Sequence, residues 1–419
     1  MLNYLSKLDA MFQYAYHNDR ASFYRDLYGD RVRPDFHVDT LDAWRSLPFV
    51  TKADLQQVPL LERTFTDLSN ADMIRTSSGT SGGEVLMTLR NFTWRYDELF
   101  ERIQPTGVLS LGDISYAVEN GFRLKYPNIP FIGGDLHAVG AAVRLAEGLP
   151  INVVGCWLFA YDMFIQQLDR YGLREGVAVV YTFGERVTPA QYVKLKTAFP
   201  GALVYTLYGA TEIHETRLGY SVDEFDMELG TIFSTSEHLY MELIDPDTGT
   251  VIEETGKEGE VVVTMMWTEN NPSPLLRYRM GDLAMYTTYH EDPWQRRYAT
   301  RGRRELDRIR IPGGQLQASE FERAIGTFHD LVMPDFELHY TPVTDTVPMQ
   351  AELWVLPRGP FDERSFIDAF MQAVRISPDR TYADAVSRGL VPAMQCRSVR
   401  TLSREGRKRI RFIEERGGK

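Results

Sequence analysis

The chain has 419 residues, 43% of them apolar and 25% charged, proportions typical of a soluble globular protein with more than one domain. Its net charge of −12 at pH 7 argues against nucleic acid as the main partner, because binding to nucleic-acid phosphates needs a surplus of Lys and Arg. The two cysteines, Cys156 and Cys396, exclude a disulfide framework and have no zinc-type spacing. No apolar run reaches membrane-spanning length and the first residues have no signal-peptide pattern, so we expect a cytoplasmic protein without a membrane partner.

The first 60 residues are predicted to be helical, with a loop over residues 28–36. Thr51 followed by Asp54 indicates a helix start, because a threonine can cap the first turn and an acidic residue three positions later supports it. The N-terminal part of the chain is therefore expected to contribute helices rather than strands.

A loop rich in glycine and hydroxyl side chains follows this helical region. It reads Thr76, Ser77, Ser78, Gly79, Thr80, Ser81, Gly82 and Gly83. Glycines permit a turn whose backbone N–H groups face inward, and Ser and Thr add further donors, so such a loop can hold phosphate oxygens. An ordinary surface loop has the same composition, and it is the motifs further along the chain that favour a phosphate site.

Residues 177–212 have the pattern of a strand–helix–strand unit. The pattern predicts a buried strand over Val177–Phe183, a helix capped by Thr188 with Pro189 in its first turn and ending near Phe199, and a second strand over Ala202–Leu207. Ligands of such sheets bind beyond the carboxyl ends of the strands. Those ends, Gly184-Glu185 and Tyr208–Glu212, are expected to lie close together.

From residue 239 onward the pattern changes to antiparallel hairpins. Strands are predicted over Leu239–Ile244 and Glu260–Met266, with a turn at residues 245–249 between them. Past Gly302 the pattern indicates a separate α+β module, with strands near 335–340, 350–356 and 395–400 and helices near 318–328 and 363–375. The charge-dense run Arg301–Arg310 is expected to be a hinge.

Five segments occur in the order and at about the spacing found in the adenylate-forming superfamily of acyl-CoA synthetases, adenylation domains and luciferases. They are Thr76–Gly83, Gly184-Glu185, Tyr208–Glu212, the run Arg277-Tyr278-Arg279-Met280-Gly281-Asp282, and Gly302-Arg303. The chain resembles this superfamily from about residue 10 to its C-terminus. Leu47–Leu55 and Glu237–Tyr240 resemble its phenylacetate–CoA ligase branch in particular.

The resemblance implies an α/β fold with a large and a small part. Residues 1–301 would form an N-terminal adenylation domain with βαβ-type sheets and a β-hairpin subdomain, carrying the ATP and acyl sites. Residues 302–419 would form a small, mobile α+β C-terminal domain, with the hinge near residues 303–307. The resemblance also implies a homodimer.

The resemblance assigns a nucleotide role to most of these segments. Thr76 to Gly82 would cradle the β- and γ-phosphates, and Gly184 and Glu185 would line the adenine and acyl sites. Tyr208 would stack on adenine, and Gly209 and Ala210 would let the backbone approach the α-phosphate. The alternative for Tyr208 is an ordinary core position at a strand end.

Four further residues complete the implied site. Thr211 and Glu212 would be catalytic, with Glu212 as the Mg²⁺ ligand, since this hard ion takes one or two carboxylates plus substrate phosphates. Asp282 would accept hydrogen bonds from the ribose hydroxyls, and Arg303 would reach the ribose or the α-phosphate. Alternatively, Asp282 is a turn former and Arg303 a solvated arginine in a charge run.

For the acyl group, Tyr116 and Phe122 match the aromatic pair that phenylacetate ligases place against the aryl ring. Two ordinary core aromatics would give the same pattern. The pair therefore predicts a small carboxylic acid, aromatic or otherwise flat and apolar, without identifying it.

Two positions depart from the superfamily pattern. The lysine that normally follows the phosphate loop is replaced by Gly83, followed by Glu84. We therefore expect weaker ATP affinity or slower adenylation, unless an arginine such as Arg90 substitutes for the lysine. The C-terminal catalytic lysine aligns with Arg407, and a slip of one residue brings Lys408 into that position instead.

The sequence thus predicts an enzyme that uses ATP, with Mg²⁺, to convert an acid to acyl-AMP and then passes the acyl group to coenzyme A, in specialised biosynthesis. One alternative keeps adenylation but uses an amine, a hydroxyl or a carrier-protein thiol as acceptor. A third interpretation, motivated by the missing lysines, is a protein that binds AMP or acyl-adenylate without turnover.

Overall fold

The computed structural model describes most of the chain. The described residues are 3–71, 73–76, 86–90, 103–112, 126–134, 138–183, 186–213, 219–235, 238–303, 308–312, 314–341, 350–377, 379–402 and 411–415. No helix within these ranges is long and apolar enough to cross a lipid bilayer.

The helices are α1 Asn3–Tyr16, α2 Phe23–Tyr28, α3 Leu41–Ser46, α4 Lys52–Gln57, α5 Val139–Leu145, α6 Tyr161–Arg170, α7 Pro189–Ala198, α8 Ala318–Gly326, α9 Glu363–Ala373 and α10 Tyr382–Ser387. The strands up to residue 235 are β1 Met73–Thr76, β2 Met87–Arg90, β3 Val108–Leu111, β4 Phe131–Gly134, β5 Val153–Gly155, β6 Val179–Phe183, β7 Leu203–Tyr208, β8 Gly219–Val222, β9 Phe225–Asp226 and β10 Gly230–Thr235. The later strands are β11 Leu239–Ile244, β12 Val251–Ile252, β13 Glu258–Met265, β14 Tyr278–Thr288, β15 Arg297–Arg303, β16 Arg308–Ile311, β17 Gly314–Gln317, β18 Val332–Tyr340, β19 Ala351–Pro357, β20 Arg375–Ser377, β21 Arg380–Thr381, β22 Gln395–Ser398 and β23 Phe412–Glu414.

One large mixed sheet organises the N-terminal unit, by which we mean the described residues up to 303. Its strand order is β12-β11-β13-β14-β15-β10-β8-β7-β6-β5-β3-β4, with β9 paired to β10. From β4 through β7 the neighbouring strands are parallel, and from β7 to β12 every neighbouring pair is antiparallel. The change from parallel to antiparallel pairing occurs at β7, the strand that ends at Tyr208.

The predicted strand–helix–strand unit is confirmed as β6, α7 and β7. Thr188 caps α7 in a reciprocal capping box with Gln191, and Pro189 occupies the first turn, where its missing N–H costs no hydrogen bond. The strand β6 begins at Val179, two positions later than the apolar run, and the N–H groups of Ala178 and Val179 both donate to the carbonyl oxygen of Asn152. The carboxyl ends of β6 and β7 lie side by side, with Phe183 paired to Leu207. Gly184 and Glu185 lie outside the described residues, so their expected closeness to Tyr208–Glu212 stays a prediction.

The N-terminal helices pack on the antiparallel half of this sheet. Thr51 and Asp54 form the predicted helix start at α4 as a full capping box. The backbone of Val50 forms a parallel bridge with Tyr278, and its N–H donates to the Arg277 carbonyl oxygen at 3.1 Å. The first 50 residues are thus attached directly to the start of β14.

A buried ion pair holds this attachment in place. Arg277 and Glu242 have side chains 2% and 1% exposed, and they share two hydrogen bonds, Nε to Oε2 and Nη2 to Oε1, each 3.2 Å long. Arg277 also donates from Nη1 to the Leu47 carbonyl oxygen at 2.7 Å and stacks over Phe49. Trp44 donates its indole N–H to the same carboxylate at 3.2 Å. The charges are paired and hydrogen-bonded, which is what burial of ionised groups requires.

The C-terminal unit, the described residues from 308 to 415, has its own sheet and its own apolar core. The sheet order is β22-β19-β18-β23, in which β18 and β19 are antiparallel and the two outer strands run parallel to their neighbours. A separate apolar cluster extends from Ile311 to Phe412 and includes the inner faces of α8 and α9. The strand β15 continues through Arg303, past the predicted domain boundary at 301/302, and that boundary stays a prediction. Residues 304–307 of the predicted hinge lie outside the described residues.

Replacing Glu242 by Gln should reduce the free energy of unfolding by about 3–5 kcal/mol, because it leaves the Arg277 charge buried without its counter-charge. Urea unfolding followed by tryptophan fluorescence measures this loss, since Trp44 lies in the same network. The matched control is Lys257→Ala in the exposed Glu254–Lys257 pair, expected to change stability by less than about 1 kcal/mol. Equal effects of the two substitutions would contradict the role assigned to the buried pair.

Candidate active site

Three of the residues predicted to bind nucleotide meet at the carboxyl end of β7. Asp282 on β14 pairs directly with Arg303 on β15 in the strand register, and their side chains form an ion pair, Nε to Oδ1, 3.2 Å long. The Tyr208 hydroxyl donates to the other carboxylate oxygen of Asp282, Oδ2, at 2.6 Å. Tyr208 and Asp282 are 74 positions apart in sequence, and the sheet order brings their strands to one place.

Local backbone geometry fixes where Asp282 points. Gly281, immediately before it, has φ of +72°, a conformation that glycine adopts without strain. A register shift between β14 and β15 follows directly after Leu283, so the strand is irregular at the point where it presents the carboxylate. Asp282 lies opposite Arg303, next to the point where the regular pairing of β14 with β15 is interrupted.

The site holds its tyrosines in the neutral form. Burial raises the pKa of Tyr208 well above 10.0, and the Asp282 carboxylate that accepts its hydrogen bond raises it further. Burial likewise raises the pKa of Tyr278, with the negative charges of Glu212 and Asp282 as additional causes. Both phenols therefore remain hydrogen-bond donors throughout the physiological pH range.

Glu212, the predicted Mg²⁺ ligand, faces a small cavity below the strand that follows the predicted phosphate loop. The cavity is lined by Phe23, Leu55, Arg63, Phe65, Thr88, Glu212, Ser273, Pro274 and Leu275. Thr88 on β2 donates its hydroxyl to the Thr211 carbonyl oxygen at 3.1 Å. This bond joins the strand after the glycine-rich loop to the segment that carries Glu212.

Arg63 in the same cavity was not predicted. It is only 5% exposed and donates to two backbone carbonyl oxygens, those of Val58 at 3.2 Å and Met87 at 2.6 Å. Burial lowers its pKa, and no carboxylate of the described residues lies within ion-pair distance of it. Nothing in the sequence around Arg63 distinguishes it from a surface arginine, because its burial depends on the distant residues of β2 and of the 273–275 segment.

The donor set fits Mg²⁺ held by one carboxylate together with phosphate oxygens. Glu212 is a suitable oxygen ligand, and the described residues contain no cluster of three His, Cys, Asp or Glu side chains that would form an all-protein cage. Magnesium in phosphate-transfer sites is usually held in that shared way, with several waters completing its shell.

The structure places some of the predicted site residues and leaves others undescribed. Thr76 ends β1 and is exposed, and Gly209, Ala210, Thr211 and Glu212 form the turn after β7. Outside the described residues lie Ser77, Ser78, Gly79, Thr80, Ser81, Gly82, Tyr116, Phe122, Gly184, Glu185, Arg407 and Lys408. Their roles stay predictions.

Comparison with family models gives no match, and no curated protein sequence matches either. Solved structures match over most of the chain. 2-Hydroxyisobutyryl-CoA ligase in the postadenylation state, in complex with 2-HIB-AMP, has a TM-score of 0.73 at 17% identity, covering 98% of this chain and 89% of the ligase. The AtGH3.15 acyl acid amido synthetase in complex with 2,4-DB has a TM-score of 0.66 at 14% identity, covering 99% of this chain and 92% of the synthetase. O-succinylbenzoate coenzyme A synthetase from Bacillus subtilis, in complex with ATP and magnesium ion, has a TM-score of 0.57 at 13% identity, covering 81% of this chain and 68% of the synthetase.

The first of these ligases also differs between its own states. In its thioesterification state, in complex with 2-HIB-AMP and CoA, it has a TM-score of 0.57 with this chain, at the same 98% coverage. With the postadenylation state of the same ligase the TM-score is 0.73. At these identities the likeness establishes the fold.

Tyr208 should stay protonated at pH values where ordinary tyrosines ionise. Its folded-state pKa is raised above the unfolded value of 10.0, so its stabilising contribution is complete below pH 10 and is lost as the pH rises through the folded value. The difference in tyrosinate absorbance between wild-type protein and the Tyr208→Phe variant isolates this group, and urea-unfolded protein is the reference. A difference signal that is complete at pH 10 in the folded protein would contradict the environment described for Tyr208.

Proposed function

We propose that this chain, which has the fold of the adenylate-forming superfamily, activates a carboxylic acid with ATP and transfers the acyl group to coenzyme A. The observation that supports this most strongly is the meeting of Tyr208, Asp282 and Arg303 at one strand end. These residues belong to three separate sequence segments that resemble nucleotide motifs, and a chance resemblance gives no reason for them to make direct contact. The phenylacetate–CoA ligase branch and an aromatic acid remain part of the proposal.

In the proposed first step a carboxylate oxygen of the acid attacks the α-phosphorus of ATP. A phosphorus–oxygen bond to the acid forms, the bond to the bridging oxygen breaks, and pyrophosphate leaves, giving acyl-AMP. Asp282 offers carboxylate oxygens to the ribose hydroxyls, and Tyr208 offers a ring face to adenine beside it. Arg303 adds a permanent positive charge next to Asp282, where the α-phosphate would lie.

The charge of the leaving pyrophosphate needs a counter-charge that Gly83 does not supply. Mg²⁺ held by Glu212 would neutralise phosphate charge and orient the leaving group. Arg63 is a second source of positive charge near the cavity below β2, and its burial strengthens the field that it exerts. These two groups account for how adenylation could proceed without the usual loop lysine.

In the second step the thiolate of coenzyme A attacks the acyl carbon, a carbon–sulfur bond forms, and AMP leaves. A different acceptor is a second candidate, because the fold is also that of an acyl acid amido synthetase over 99% of this chain. With an amine acceptor, a carbon–nitrogen bond replaces the carbon–sulfur bond and the product is an amide. Both candidates share the adenylation step.

Pyrophosphate release with Mg·ATP should depend on one class within a panel of aryl and small aliphatic acids, and its steady-state rate should rise with coenzyme A. The acceptor discharges acyl-AMP and frees the site for another turnover, which is why the correct acceptor raises the rate. A parallel panel of amino acids identifies the amine alternative by amide formation. Binding of AMP without pyrophosphate release from any acid would refute the proposed activity.

Replacing Asp282 by Asn should weaken AMP binding by about 10- to 100-fold, since it removes a charged acceptor worth about 1.5–3 kcal/mol. Calorimetry with AMP measures this change. Asp223→Asn is a closely matched control, because Asp223 also accepts from a tyrosine, Tyr192, and pairs with a cation, Lys196, away from the site. Equal losses of affinity in the two variants would contradict a ribose-binding role for Asp282.

A further inference from the structure

A histidine of the C-terminal unit lies between two carboxylates that no step of the proposed reaction uses. His339 is on β18 and is 9% exposed. Its Nε2 lies 3.1 Å from Oε2 of Glu337, two positions earlier on the same strand, and its Nδ1 lies 2.7 Å from Oε1 of Glu415. Glu415 directly follows β23. The imidazole ring thus connects β18 to the chain that leaves β23.

The two contacts together require one extra proton. An ionised carboxylate only accepts hydrogen bonds, and a neutral imidazole has one N–H group and one unprotonated nitrogen. A neutral ring therefore donates to Glu337 or to Glu415, and never to both. Both bonds form when the ring is an imidazolium with two N–H groups. If Glu337 carries the proton instead and donates it to Nε2, the cluster holds the same number of protons and Nδ1 still donates to Glu415.

The surroundings of the ring favour the extra positive charge. The Trp354 indole stacks on the imidazole, with ring centroids 3.8 Å apart, and the negatively polarised face of an indole attracts a cation. Glu352 on β19, opposite His339 in the strand register, adds a third carboxylate. Arg397 on β22 also lies over the Trp354 ring, at 5.0 Å, and is paired with Glu352 at 3.1 Å. The described charged groups around the ring are thus three carboxylates and one guanidinium that is itself paired.

Loss of the proton breaks the contact on the exposed side. The Glu337 side chain is 2% exposed, whereas that of Glu415 is 57% exposed. Losing a donor costs a buried carboxylate more than an exposed one, because water replaces the donor at the exposed one. A neutral ring therefore keeps its N–H on Nε2, toward Glu337, and turns the lone pair of Nδ1 toward Glu415. Two acceptors do not bind each other, so the Glu415 carboxylate moves into water.

The strand that Glu415 follows is short and lies at the edge of its sheet. β23 has three residues and pairs with β18 alone in the described sheet. The Leu338 N–H donates to the Arg411 carbonyl oxygen and the Glu415 N–H to the Tyr340 carbonyl oxygen, each at 2.7 Å. Within β23 the buried residue is Phe412. A side-chain contact at Glu415 therefore adds to a small set of bonds and sets how firmly the end of β23 is held.

We propose that Glu337, His339 and Glu415 form a proton-dependent clamp, which fastens the end of β23 to β18 when the proton is bound and releases it as the pH rises. The fastened state holds the proton, so the clamp's contribution is complete where the cluster is protonated and is lost as the proton leaves. Histidine side chains ordinarily change charge between about pH 5 and 8, which places the switch in a physiological range. The clamp does not depend on the activity proposed above.

Amide hydrogen exchange of residues 412–415 in the full chain tests the clamp, at about pH 6 and about pH 8, with each rate divided by that of an unstructured peptide at the same pH. We expect protection to fall by about threefold to fivefold from the lower to the higher pH, the range that a partly exposed ion pair supports. Glu415→Gln should abolish the fall, because an amide both donates and accepts and so bonds to either form of the ring. Glu414→Gln is the matched control: Glu414 accepts from the Tyr340 hydroxyl at 3.5 Å, and the variant should keep the fall.

Nitrogen-15 NMR of the histidine rings follows the proton itself, and the spectrum of His339→Gln identifies the signals of His339. Nδ1 should be protonated at about pH 6 and unprotonated at about pH 8. If His339→Gln fails to fold, the signals that change in Glu415→Gln, at an exposed position, identify the ring instead. The clamp is overturned by Nδ1 in one protonation state over the whole range, by no fall in protection in the wild-type protein, or by an equal fall in Glu415→Gln.

Discussion

The buried pair of Arg277 and Glu242 is the constraint on which the rest of the N-terminal unit depends. It joins β11 to the residue before β14 and, through the Leu47 carbonyl oxygen, to the N-terminal segment. Arg277 adopts φ of +44°, an uncommon conformation for a side chain of its size, and the surrounding hydrogen bonds hold it there. Because β14 starts at the next residue, this pair also sets the position of Tyr278 and Asp282. The position of the candidate-site residues on β14 therefore depends on the buried Arg277–Glu242 ion pair in the core.

At the site itself, polar groups are held by one another before any ligand arrives. Asp282 accepts from both Tyr208 and Arg303, so its carboxylate is oriented by a phenol on one side and a guanidinium on the other. Fixed orientation of this kind lowers the cost of binding, since the side chains lose little further freedom. Glu212 and Arg63, in contrast, share a cavity without a direct ion pair. Tyr208, Asp282 and Arg303 thus form the rigid part of the candidate site, and the cavity lined by Glu212 and Arg63 is its more open part.

Much of this architecture could be predicted from the sequence, because the signals involved were local. Thr188 and Pro189 predicted the start of α7, and the apolar runs predicted β6 and β7. These signals can be read from the sequence because helix capping and burial patterns act over a few residues. The burial of Arg277 could not be predicted in the same way, because its partner is 35 positions away and an arginine in a motif suggests a ligand contact. The bond between Asp282 and Arg303 was likewise missed: each was assigned to the ligand, and only the strand register shows that they also bind each other. Arg63 and His339 acquire their environments from segments that are remote in sequence.

The attachment of the N-terminal helices has a consequence for the order in which the chain can fold. Tyr24 donates its hydroxyl to the Pro274 carbonyl oxygen and accepts from the Leu276 N–H, contacts that span 250 and 252 positions. At a synthesis rate of 5–20 residues per second, the N-terminal helices wait roughly ten to fifty seconds for those partners to be made. During that interval the apolar faces of α1 and α2, buried in the finished protein, have no sheet to cover them. The N-terminal helices are thus synthesised well before the residues that complete their core, and they are stabilised only after those residues have been made.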